Sequence, residues 1–159
     1  MLSTFSNLLF FAPMLAFKLT LGLFFMRHFK YNIDLTPKPT PRPRLGRYGV
    51  YNKSDYKKYQ NDMMFLIKSL KIPTDDYSHL SARFFFPYPK KTSKKNRIDF
   101  APLRNKCDLD NLAKGLMDVL EKTKVINNDR QFSSLFLEKR YTLRGSGCIE
   151  FELCPFVNK

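Results

Sequence analysis

Cysteine and histidine are scarce in this 159-residue chain, and both shortages exclude something. The three cysteines, Cys107, Cys148 and Cys154, are odd in number and form no C-x-x-C pair. His28 and His79 stand far from them in sequence. The pattern argues against a structural zinc site and against a disulfide framework, and a reducing compartment fits it. Acid is the third shortage: 14 Asp and Glu stand against 28 Lys and Arg, a formal net charge of +14. No internal repeat is present. What the chain does have is apolar bulk, 43% hydrophobic residues with 16 Phe and 8 Tyr. That argues against a disordered basic tail. The length fits one domain with a real core and is too short for two. A folded, strongly basic chain calls for a polyanionic partner, either nucleic acid or an anionic membrane face.

Residues 1–28 read differently from everything after them. From Leu8 to Met26 the run LLFFAPMLAFKLTLGLFFM carries one charge, Lys18, and one proline, Pro13. Its length just spans a bilayer. Each Leu or Phe favours insertion by roughly 0.3–0.6 kcal/mol, and a central Lys opposes it by roughly 3 kcal/mol, so the balance lies near zero. No positive residue precedes the run and no small-x-small site closes it, which makes a poor signal peptide. Three readings stand: a start at Met26 or a dispensable extension, a membrane anchor, or a helix packed on the domain. A membrane partner is expected only if this leader is real. The folded domain is expected over residues 29–159.

Tyr31, Ile33 and Leu35 alternate with polar residues, the mark of a half-buried strand. The segment TPKPTPRPRLGRYG follows, and its prolines and glycines predict no regular structure. Ser54 opens a helix to about Leu70, with Tyr59, Met63, Leu66 and Ile67 on one face. Leu80 to Phe86 reads as a buried strand and PYPKKTSKKNR as an exposed basic loop. Two strands, Phe132 to Leu143 and Cys148 to Leu153, end the pattern, joined by the turn RGSG.

Acids gathered in so basic a chain call for a reason. If the chain is extended up to Asp110, Cys107 and Leu109 turn inward and Asp108 and Asp110 face the other side, whereas in a helix the two acids would lie about 200° apart and could not share a ligand. Asp110 is then the cap of a helix whose core stripe is Leu112, Leu116, Val119 and Leu120. Lys114 lies one turn on, on the same face as Asp110. The helix rises roughly 18 Å. An extended return from Thr123 to Asn128 covers roughly 20 Å and would set Asp129 beside the helix start. Three converging carboxylates and a lysine suit a Mg²⁺-dependent phosphodiesterase, in which the ion activates water and takes phosphate oxygens as ligands. Taken singly, each has an ordinary explanation: a cap for Asp108 or Asp110, an i,i+4 pair with Asp118 for Lys114, a turn for Asp129.

The stretch DLDNLAKGLMDVLEKTKVINNDRQ resembles the central motif of the RusA family of Holliday junction resolvases, D-L-D-N-L-x-K, then a helix, then a D-D-x-Q turn. KPTPRPRLGRYGVYNKSDYKKYQ is similar to the family's N-terminal strand, Pro/Arg-rich loop and helix. The resemblance runs from about Tyr31 to Leu153. It implies a small α+β domain, a mixed sheet packed with two main helices, working as a homodimer in the cytoplasm. It implies paired cuts on branched DNA, four-way junctions above all, with Mg²⁺ as cofactor and Mn²⁺ able to replace it. By position, Asp108, Asp110 and Asp129 would be the metal-binding catalytic acids and Lys114 the essential lysine. Asn128 departs from the family pattern, which often has an acid there.

Two basic clusters offer a DNA surface: Lys38, Arg42, Arg44 and Arg47 in the proline-rich segment, and Lys90, Lys91, Lys94, Lys95 and Arg97 after the buried strand. Arg104 and Lys106 lead into the acids. Such contacts give affinity and salt dependence but little sequence information. Tyr48, Tyr51 and Phe84 to Phe86 are stacking candidates, most of them expected in the core. The alternatives are a non-catalytic basic binder of nucleic acid, its acids acting as caps, and a membrane-tethered basic protein.

Overall fold

The longest strand, Tyr77–Pro87, lies inside the sheet, and the other strands are arranged about it. The computed structural model describes residues 29–41, 44–46, 49–51, 54–104 and 106–155. The leader over 1–28, with Arg42, Arg47 and Tyr48, lies outside the described residues. In order the chain forms β1 (Phe29–Ile33), β2 (Arg44–Gly46), β3 (Gly49–Tyr51), α1 (Ser54–Ser69) and β4 (Tyr77–Pro87). Then come α2 (Leu109–Lys122), β5 (Ser134–Thr142) and β6 (Cys148–Pro155), with short 3₁₀ turns at Lys94–Asn96 and Asp129–Gln131. The main sheet runs β1-β6-β4-β5. Its β4–β5 pair is parallel and the other two pairs are antiparallel. Among the described residues a four-stranded mixed sheet, a two-stranded hairpin and two helices make an α+β domain. Among the described residues no helix is long and apolar enough to cross a membrane.

Period-two alternation sorts β4 into two faces. Leu80, Ala82, Phe84 and Phe86 are buried in the main core, with Ile149, Phe151 and Leu153 from β6. The helices supply Tyr56, Tyr59, Met63 and Ile67 from α1, and Leu112, Leu116, Val119 and Leu120 from α2. On the other face Arg83 and Arg140 meet Glu138 at 3.4 and 2.7 Å. Arg140 hydrogen-bonds the Glu138 carboxyl and, with Arg83, holds it below the usual carboxylate range.

The fold departs from the sequence pattern at two places. The proline-rich stretch ends in regular structure, the β2–β3 hairpin, because its prolines stop at Pro43 and Gly46 pairs with Gly49 at the closed end. The last two strands are not neighbours either, since β4 lies between β5 and β6. The connection between them passes hard against β4. A Cβ on Gly147 would sit 2.5 Å from the Phe85 carbonyl oxygen and 3.1 Å from Thr36 Cα, so only glycine allows that crossing.

The proline-rich segment is fastened to both helices. The Lys38 amide donates to Tyr59 Oη at 3.1 Å, and Thr40 Oγ1 and Tyr56 Oη share a hydrogen bond of 2.8 Å. The Thr40 amide donates to the Asn111 carbonyl at 3.1 Å. This junction closes over Gly115 of α2, where a Cβ would stand 2.8 Å from Tyr56 Oη and 3.1 Å from Thr40 Oγ1. Alanine gains about 1 kcal/mol over glycine inside a helix, whereas overpacking costs about 1–3 kcal/mol. Gly115→Ala should therefore lower the urea midpoint in the intact protein. In a Tyr56→Phe background, where the hydroxyl is gone, the same change should be neutral or stabilising.

Candidate active site and nucleic-acid face

Two devices set the start of α2. Cys107 has φ 44°, in the left-handed region, and turns the chain sharply off the edge of β5. The Lys139 ammonium, reaching from β5, donates to the carbonyl oxygens of Lys106 at 3.0 Å and Cys107 at 2.5 Å. Asp108 is thereby left extended at the cap position and the helix begins at Leu109. The strand expected to reach Asp110 does not form, and Asp110 is not the cap. The pairing along the edge of β5 is short, hydrogen bonds from Phe100 to Leu103 around the bridge of Pro102 with Arg140, and the Cys107 kink ends the extension. Cys107 and Leu109 do pack against the core as their alternation predicts. Burial pushes the Cys107 thiol up, against the pull of Lys139 and Lys106, so it stays protonated at neutral pH.

Asp108 occupies the cap position yet its side chain makes no capping hydrogen bond. Its carboxylate is exposed and accepts only from the Asn111 side-chain Nδ2, at 3.5 Å. Asp110 lies exposed in the first turn, and Lys114 is exposed one turn on. Ion pairs among the described residues join Lys30 to Glu152 and Arg83 and Arg140 to Glu138, so Lys114 has no such pair with Asp118. The helix N-terminus favours nearby carboxylates by about 0.3–1 kcal/mol, which offsets part of the cost of keeping two acids close.

Asp129 is placed elsewhere. The return from α2 is not extended: the Val125 and Ile126 amides both donate to the Leu120 carbonyl, at 3.0 and 3.4 Å. Burying those two apolar side chains folds up the length that was to carry Asp129 back. Asn128 then caps the next turn, its side chain accepting from the Arg130 amide at 2.9 Å. Asparagine caps as well as aspartate, which gives the departure from the family pattern a local role. Gln131 accepts from the Asn127 amide at 3.0 Å and donates to the Tyr77 carbonyl at 3.1 Å, fastening the turn to the start of β4. The Asp129 carboxylate is left exposed at the entrance to β5. Lys139, which marks the start of α2, lies about 17 Å further along that strand at ~3.3 Å per residue from Ser134. Among the described residues no group of three or more His, Cys, Asp or Glu is disposed to hold a metal ion. Asp108 and Asp110 thus stand exposed two residues apart at the start of α2, with Lys114 one turn on, and one chain does not bring Asp129 to them.

Exposed cations precede the acid pair along the chain. Lys90, Lys91, Lys94 and Lys95 are exposed in a loop that is itself well tied, since Arg97 donates twice to the Thr92 carbonyl, at 3.0 and 2.7 Å. Arg104 and Lys106 are exposed, with Lys106 Nζ 4.8 Å over the Phe86 ring. Lys38 is exposed on the proline-rich segment, 5.5 Å over Tyr59, and Arg44 lies in β2. Phe84, Phe85 and Phe86 are buried and unavailable for stacking. Tyr51 lies in β3.

Two exposed carboxylates with no strong protein partner suit a hard cation such as Mg²⁺, which needs only one or two of them beside water and phosphate oxygens. Sequence reasoning missed Lys139. Its one signal is a lysine in the same register as Leu137 and Tyr141, both packed against the core. Lys139→Met should leave two carbonyls without their charged donor, at a cost of about 1.5–3 kcal/mol. Amide exchange over residues 106–112 should quicken more than in the rest of α2. Unchanged exchange would mean that the Cys107 kink holds itself.

The family model described as Endodeoxyribonuclease RusA matches residues 34–151 of the chain. No curated protein matches it.

Proposed function

The chain belongs to the RusA endodeoxyribonuclease family, and from that premise we propose that it is a Mg²⁺-dependent resolvase of four-way DNA junctions. In this reading it acts as a homodimer in the cytoplasm, in recombination and repair, and Mn²⁺ can replace Mg²⁺. The observation that carries the reading is Asp108, a carboxylate in a cap position that caps nothing, two residues from exposed Asp110. Asp108 and Asp110 would hold the ion. When bound, it supplies charge neutralisation at the phosphate and activation of water. Lys114 meets the charge that develops on a phosphate oxygen during cleavage. Lys90, Lys91, Arg104 and Lys106 hold the backbone of the arms, with Lys38, Arg42, Arg44 and Arg47 from the proline-rich segment.

A homodimer answers two needs. Paired cuts on a two-fold junction require two sites related by a two-fold axis. The separated acids are the second need. β5 is an edge strand whose second half is covered by the segment around Pro102, while Leu135 and Phe136 in its first half are 47% and 46% exposed. An antiparallel two-fold along that open edge sets the entrance of one β5, with Asp129, towards the end of the other, with Lys139 and the acid pair. The third carboxylate then comes from the second copy.

Asp108→Asn, Asp110→Asn and Asp129→Asn should each abolish Mg²⁺-dependent cleavage of a synthetic four-way junction and leave binding intact or tighter. Lys114→Ala should lower kcat more than it raises Kd. Near wild-type cleavage by the Asp108 variant would remove the metal-site assignment, and a wild type that binds but never cuts would leave a plain basic binder. Neutralising Lys90 and Lys91 should flatten the log–log salt dependence of binding, on junction and duplex alike, by about 0.9 for each phosphate that is no longer neutralised.

A further inference from the structure

Ile98 and Phe100 are large apolar residues 69% and 52% exposed, at the end of the most basic segment of the described chain. Leu143, 55% exposed, is brought beside them from 43 positions further on. A single carboxylate makes that junction: Asp99 Oδ1 accepts from the Leu143 amide at 3.0 Å and the Phe100 amide at 3.2 Å. The Tyr88 hydroxyl clamps Ile98 from both sides, donating to its carbonyl at 2.8 Å and accepting from its amide at 3.1 Å. Tyr88 is itself stacked on Tyr141 with ring centroids 4.2 Å apart. Phe100 has φ 60°, a conformation that bulky residues avoid, and its ring rests edge-on against Phe85 at 5.6 Å. Strain of this kind costs about 1–3 kcal/mol and persists only where the surroundings over-determine it.

The molecule thus holds apolar side chains out into water, rigidly and at a cost. We propose that Ile98 and Leu143, backed by Phe100, form a wedge that packs against the base pairs at a DNA branch point and keeps them unstacked. Charge selects that occupant. Tyr88–Arg97 carries five cations and no acid, and Arg144 adjoins Leu143. Phosphates attracted by these cations bring a duplex end against the ridge, and an apolar side chain gains nothing from an intact helix but can cover the exposed face of a base. Position supports the same occupant. Along β5 the ridge lies about four residues, or roughly 13 Å, from Lys139 at the base of the acid pair. The inference rests on the junction-cleaving reading and adds what opens the branch.

The test uses a four-way junction with 2-aminopurine at the branch, bound in EDTA so that no strand is cut. Binding of the wild type should raise the fluorescence. Ile98→Ser and Leu143→Ser should lose most of that rise and bind the junction about tenfold more weakly, since covering one Ile or Leu side chain against a base is worth at least about that factor. Their duplex affinity and salt dependence should stay unchanged. A full fluorescence rise in both variants overturns the wedge while leaving the nuclease reading standing. Absence of junction binding by the wild type overturns both. A changed sedimentation coefficient in the variants would instead make the ridge a contact between copies, and selective loss of binding to phosphatidylserine vesicles would make it a membrane contact. Either result overturns the proposal.

Discussion

Parallel pairing of β4 with β5 obliges the chain to leave the far end of one strand and re-enter at the near end of the next. That detour spans residues 88–133, and nearly everything polar and functional in the reading lies on it. The basic loop comes first, at the end of β4. The Ile98–Phe100 ridge and the Pro102 bridge follow, running back along the edge of β5. After the Cys107 kink, α2 lies across the sheet and buries the stripe that closes the core. An antiparallel hairpin at this point would need only two linking residues and would have no room for any of it.

The elements whose signal is local were legible. The stripe Leu112, Leu116, Val119 and Leu120 predicted α2 because residues four apart share a face, and all four are buried. The face of α1 is equally well given by Tyr59, Met63 and Ile67. Strand order was not legible, because the partner of a strand is set by packing across distant sequence. The RGSG turn reads as a hairpin, yet Gly147 is there to slip past the Phe85 carbonyl on the way over β4. The site divides in the same way. Asp108, Asp110 and Lys114 are near in sequence and stay near in space. Asp129 depended on an extended return, and the return was spent on burying Val125 and Ile126.

A carboxylate pair beside so many cations needs no exotic stabilisation. It stands at a helix N-terminus, where the backbone amides favour negative charge. Lys139 helps indirectly by fixing the two carbonyls that precede Asp108. The acids themselves are left without strong protein partners, and Lys90, Lys91, Lys94 and Lys95 are exposed in their loop. Polar groups that a fold has not satisfied internally are the ones available to a ligand, and here both signs of charge are offered at one end of one sheet.

Strand β6 comes last among the described elements and yet lies between β1 and β4. Its residue Leu153 pairs with Phe29, a separation of 124 positions (153 minus 29). Until it arrives, β1 has no partner in the main sheet, and β4 presents one open edge lined by phenylalanines. The core therefore cannot be completed until Cys148–Pro155 has been added, and folding is of the slow, non-local kind. A chain halted shortly before Cys148 would be missing the middle of its sheet rather than a trailing edge. Quality control would meet it as an unfolded basic polypeptide with two exposed strand edges, the form in which such sequences aggregate.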